Sequence, residues 1–204
     1  MKITNKIPKY DERMHSELIN NGWILTKEPT RFINTLFLSV PFMFINALIS
    51  IWIMNCFSTV SLKEFGITPN LITININIST IFFILLFLII HEFIHLILIP
   101  NVIKSKNTCI GITWFGAFVT TEEIISKSRF LLITLAPFII ISVILPIVLG
   151  MFGTLTTTMK FIILLNAAAS SVDSLTFLMI ALQVPKYGIL KNNGNKTYWK
   201  HKIC

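Results

Sequence analysis

The residues of this 204-residue chain best suited to chemistry are His91-Glu92-Phe93-Ile94-His95, two histidines four apart with a glutamate after the first. The pattern is HExxH, and it lies in an apolar run that reads as a helix. At about 100° per residue, the two imidazoles fall roughly 40° apart on one helix face, one turn from each other. Neutral imidazoles so arranged can bind one Zn²⁺, and Glu92 beside them can act as general base on an attacking water. Two histidines and one carboxylate are the ligand set of many catalytic zinc sites, with a fourth position left for water. Asp173 is the expected third ligand. Glu122 and Glu123 are rivals, but they lie in a charged loop, where acids are usually solvated. Asn166 and Ser170 share a helical face with Asp173. Asn166 could orient a substrate carbonyl or stabilise an oxyanion, and Ser170 could support the ligands from behind.

The elements that hold these residues are apolar. Hydrophobic residues make up 54% of the chain and charged ones only 13%, with a mean hydropathy of +0.77. A water-soluble globule of this length cannot hide so much apolar side chain, which excludes a soluble enzyme or a nucleic-acid-binding domain. Four stretches are long enough to cross a bilayer, at about 32–54, 78–103, 130–152 and 161–184. Of the 9 acids and 4 histidines in the chain, only His91, Glu92, His95 and Asp173 fall inside them. Ionisable groups near mid-bilayer cost on the order of 2.5–3.5 kcal/mol and are mostly functional. Depth agrees with the pairing. Counting about 1.5 Å per residue from the ends near Ser79 and Met159, His91 lies about 18 Å in, His95 about 24 Å and Asp173 about 21 Å.

Charge then sets the orientation. Six of the 17 lysines and arginines lie in residues 1–31, four between the second and third stretches, and five in 185–204, leaving only Lys63 and Lys160 on the opposite side. Both termini are therefore expected in the cytoplasm of a multi-pass cell-membrane protein. Residues 1–31 form a cytoplasmic segment with no short apolar core of the kind a cleavable signal carries, 32–184 the membrane domain and 185–204 a cytoplasmic tail. The alternation of Leu71–Ser79 suggests a short strand, and Asn107–Thr121 reads as a β-hairpin on the cytoplasmic side. Gly188 and Asn192-Asn193-Gly194 imply a turn and one more strand. The fold class is thus an all-α membrane protein with four transmembrane helices and a small hairpin. Cys56, Cys109 and Cys204 give no disulfide framework.

On His91-Glu92-Phe93-Ile94-His95, Leu135-Ala136-Pro137-Phe138 and Asn166-Ala167-Ala168-Ala169-Ser170-Ser171-Val172-Asp173, the chain resembles a family of small bacterial membrane zincin metallopeptidases. The likeness runs over roughly residues 30–200. More distantly it is similar to the site-2 intramembrane proteases, although Ser174 follows Asp173 where their signature has glycine and no proline follows Asn166. The resemblance implies His91, His95 and Asp173 as zinc ligands, Glu92 as general base and Asn166 near the substrate. A membrane-associated protein or peptide would be that substrate and the bilayer the other partner. The competing expectation is a non-enzymatic membrane protein, such as a metal or proton carrier or an immunity or scaffold partner, that uses the same polar residues.

Overall fold

The computed structural model describes residues 2–4, 8–29, 31–73, 78–105, 107–113 and 116–202. It is mostly helical, with four helices long and apolar enough to cross a membrane: α2 (Phe32–Asn55), α3 (Ile78–Leu98), α4 (Lys127–Met151) and α5 (Thr157–Gln183). A shorter helix, α1 (Glu12–Asn20), precedes them and is capped by the Asp11 side chain, which accepts from the Arg13 and Met14 amides.

The long helices invert the usual pattern of a soluble core. On α2 the buried positions include Ser39, Asn46 and Ser50, while Phe37, Phe44, Leu48 and Trp52 are exposed. Small and polar residues face the protein and large apolar ones face outward, the distribution favoured by lipid surroundings. Asn46 Nδ2 donates to the Ala167 carbonyl (3.1 Å) and to Ser174 Oγ (3.0 Å), which ties α2 to α5. Ala167, buried and with its carbonyl bonded to Asn46, is small enough to let the two backbones approach.

Three helices meet at the ends that matter for the site, and two cations from the first turn of α4 tie them there. Arg129 Nε donates to the Leu98 carbonyl at the end of α3 (2.8 Å). Lys127 Nζ donates to the Ala181 carbonyl (2.7 Å) and to that of Val184, at the end of α5. Cations at helix C-termini satisfy orphan carbonyls and complement the helix dipole. Lys127→Met is expected to destabilise the fold by about 1–2 kcal/mol, seen as a lower thermal midpoint of the protein in detergent.

Several boundaries differ from those expected. The second long helix ends at Leu98 rather than Ile103, because Pro100 biases Ile99 away from helical backbone and Asn101 turns the chain with φ of 53°. Helix α4 begins three residues earlier than expected and contains a π-helical stretch, Phe138–Ile144. The mostly helical expectation with one hairpin is met in part: among the described residues further strands accompany that hairpin, making three small sheets beside the helices. The hairpin forms from β5 (Thr108–Thr113) and β6 (Gly116–Thr121), with β1 (Lys2–Ile3) added in parallel to β5. Its tip at 114–115 lies outside the described residues.

The tail forms a full hairpin rather than one strand, β8 (Gly188–Asn193) and β9 (Lys196–His201), reversing at Gly194 with φ of 59°. Two two-residue strands, β2 (Ile24–Leu25) and β7 (Ile125–Ser126), complete that sheet in the order β2-β9-β8-β7. Strands so short carry no alternation to read. Of the expected strand at 71–79, β4 (Leu71–Ile72) pairs with β3 (Ile67–Thr68), residues 74–77 lie outside the described residues, and Ile78 already begins α3.

Candidate metal centre

Helix α3 carries His91 and His95 one turn apart, and α5 brings Asp173 against both. Asp173 Oδ2 lies 3.3 Å from His91 Nε2 and 3.6 Å from His95 Nε2. One ligand atom from each of the three residues falls within 4.8 Å of the others. His91 is buried, whereas His95 and Asp173 line a cavity of about 170 Å³.

The other ring nitrogens decide what faces the centre. His95 Nδ1 lies 2.8 Å from the Ile133 carbonyl on α4, which can only accept, so Nδ1 carries the proton. His91 Nδ1 lies 2.9 Å from Asn166 Oδ1. The Asn166 amide is oriented in turn, because its Nδ2 donates to the Pro137 carbonyl (3.3 Å) and to Ser142 Oγ (2.8 Å). In the neutral rings both Nε2 atoms turn lone pairs toward the Asp173 carboxylate, a grouping completed by a cation among them, either a proton or a metal.

A shared proton and a metal call for different spacings. A charge-assisted N–H···O bond would be about 2.7–2.9 Å long. Tetrahedral bonds of about 2.0–2.1 Å give ligand–ligand edges of about 3.3–3.4 Å. The separations of 3.3 and 3.6 Å are longer than such a hydrogen bond and lie at and slightly beyond the tetrahedral edge. The donor types fit Zn²⁺, and ligand atoms within 4.8 Å of one another could close around it.

The π-helical stretch of α4 explains how one amide reaches two partners. In α geometry, residues five apart point about 140° away from each other. In π geometry they are hydrogen-bonded neighbours. Pro137 and Ser142 are five apart, and both accept from Asn166 Nδ2. Ser142 Oγ is itself anchored, donating to the Ile163 carbonyl (3.2 Å). Asn166, expected near a substrate carbonyl, is buried with its amide bonded to His91, Pro137 and Ser142. Asn166→Ala is expected to weaken zinc binding by about 10–100-fold, measured by competition with a chromogenic chelator.

The remaining expected residues divide. Glu92 is half-buried, outside the ligand trio, and faces the backbone amide of Val119 on β6. Ser170 is fully buried where α5 is interrupted, and its hydroxyl has no partner among the described residues, so it supports none of the ligands. Glu123 is drawn elsewhere, accepting from Ser105 Oγ (2.7 Å) and Asn107 Nδ2 (3.3 Å), and neither it nor Glu122 belongs to the trio. Ile133 and Ser142 carried no signal in the sequence, since a backbone carbonyl has none and one serine in an apolar run is most often packing.

Residues 84–189 match the family described as "Putative zincin peptidase", a span that holds both histidines, Glu92, Asn166 and Asp173. The chain matches no curated protein and no solved structure. Because the match covers just over half of the 204 residues and includes every residue that converges on the centre, the chain belongs to this zincin peptidase family.

Proposed function

We propose that the protein is a membrane-embedded metallopeptidase that hydrolyses a peptide bond of a membrane-associated substrate. His91, His95 and Asp173 would hold Zn²⁺, with Glu92 as general base. The observation that carries this reading is the donor set, two imidazoles whose tautomers are fixed from behind so that both face one carboxylate oxygen. Zn²⁺ held there supplies Lewis acidity, polarising a carbonyl and lowering the pKa of a water toward about 7. Glu92 takes a proton from the attacking water and returns it to the leaving nitrogen, so that oxygen adds to carbon as the C–N bond breaks.

The peptide must be extended for this, because a helical amide is shielded by its own turn. Strand β6 offers a template at the edge of its sheet. Ile110 turns its carbonyl toward the N-terminal strand, where it accepts from the Thr4 amide (3.0 Å), and Ile110 pairs with Val119. In antiparallel pairing, Val119 and Ala117 then direct their backbone groups away from β5 and toward the Glu92 side. A substrate strand added there runs past the trio. The cavity between Val119, Ile133, Thr134 and Thr176 receives one of its side chains. The distribution of lysine and arginine puts this site toward the cytoplasmic face, with both termini in the cytoplasm.

Chelation tests the reading. Protein in detergent should cleave a model single-span peptide, lose that activity when zinc is stripped and regain it when zinc is returned. Cleavage that persists without metal would refute it.

A further inference from the structure

A second cavity, of about 220 Å³, adjoins the one at the metal centre and shares Thr176 with it. Its walls include Phe32 and Thr35 on α2 and Leu175, Thr176 and Met179 on α5. Glu28 is the only charged group among the described lining residues. Its carboxyl lies 2.9 Å from Thr26 Oγ1, whose single hydrogen is shared with the nearer Thr197 carbonyl (2.7 Å), and it accepts from Thr197; these partners are neutral, and no cation pairs with it among the described residues. In a chain of net charge +8, an acid left half-buried without a cation is an unmet electrostatic demand. Burial pushes the Glu28 carboxyl above its ordinary range, in keeping with that lack.

We infer that this cavity takes the side chain of a lysine or arginine of the substrate, with the aliphatic stem against Phe32, Leu175 and Met179 and the cationic head at Glu28. The inference rests on the peptidase reading and adds the substrate's chemistry to it. Apolar walls leading to one acid suit an amphipathic side chain better than a wholly polar or wholly apolar one. The volume is below the roughly 300–1,000 Å³ of small-molecule sites, which favours one side chain over a free ligand. Thr176 and Met179 follow Asp173 by three and six residues, about 4.5–9 Å along α5. At about 3.3 Å per extended residue, the cation falls one to three residues from the scissile bond.

The test is a binding measurement on the full chain in detergent, independent of turnover. Two acetylated, fluorescent peptides, alike except for one lysine replaced by norleucine, are titrated by anisotropy. The lysine peptide should bind at least about tenfold tighter. Glu28→Gln keeps an acceptor for Thr26 and Thr197 but loses the charge, and should bring the two peptides within about twofold. Glu28→Lys should shift the preference to a glutamate peptide. Equal binding of the lysine and norleucine peptides by the unmodified chain, or a preference that survives Glu28→Gln, overturns the inference. Lysine discrimination without any peptide cleavage would count against the peptidase reading and for the cavity. Cleavage with no such discrimination would do the reverse.

Discussion

Glu92→Gln is expected to lower peptide-bond hydrolysis by about 10²–10⁴-fold, the range that a positioned general base contributes, while bound zinc stays at one ion per chain. Glutamine keeps the size of the side chain and its contact with the Val119 amide but cannot accept the proton. The metal should remain because Glu92 is not one of the three converging residues. Zinc content by mass spectrometry and cleavage of a model single-span peptide, measured on the same preparation, separate the two effects. Loss of both together would make Glu92 a structural residue, and unchanged cleavage would remove it from the chemistry.

Asp173→Ala should have the opposite signature, with zinc lost first and activity lost because of it. Removing a supporting residue around a metal costs about 10–100-fold in affinity. Removing one of only three ligands should exceed that, by at least about another tenfold. The variant should still fold, since the contacts that join α5 to α2 run through Asn46, Ala167 and Ser174, and those that join it to α4 run through Lys127. Without Asp173 the two Nε2 atoms lose their common partner. Zinc affinity by chelator competition, with helicity by circular dichroism as the control, tests this directly. Retention of zinc at unmodified affinity would exclude Asp173 from the ligand set.

The meeting of Asp173 with the two histidines was legible because it depends only on regular geometry. Helical rise sets depth and helical angle sets face, and α3 and α5 obey both closely enough that the three residues share a level. Even the break at Ser170 leaves that spacing intact, since the Ser170 amide still reaches the Asn166 carbonyl and the Ser174 amide the Ser170 carbonyl. The role of Asn166 was not legible. The pattern gave its face correctly, but its partners come from a π-helical stretch of α4 whose carbonyl and hydroxyl have no sequence signature.

Lys127 and Arg129 illustrate a different limit. Their charge was read as a sign of sidedness, and the structure adds that they close the ends of the neighbouring helices. That is a tertiary fact no count of lysines contains. The tail sheet was missed for a related reason. Its edge strands are two residues each, and they are held by contacts about 170 residues apart in sequence, such as the Thr26 amide and hydroxyl on the Thr197 carbonyl (3.0 and 2.7 Å). Gln183 adds to this by bonding both the amide and the carbonyl of Lys27 (2.7 and 3.0 Å).

X-ray absorption at the zinc edge, on protein purified without added metal and then loaded with one equivalent, probes the centre itself. The account predicts a first shell of nitrogen and oxygen only, at about 2.0–2.2 Å, with the outer-shell scattering of two imidazoles. That scattering should fall to one imidazole in His95→Ala. A sulfur-containing shell, or a spectrum unchanged by the loss of either histidine, would contradict it.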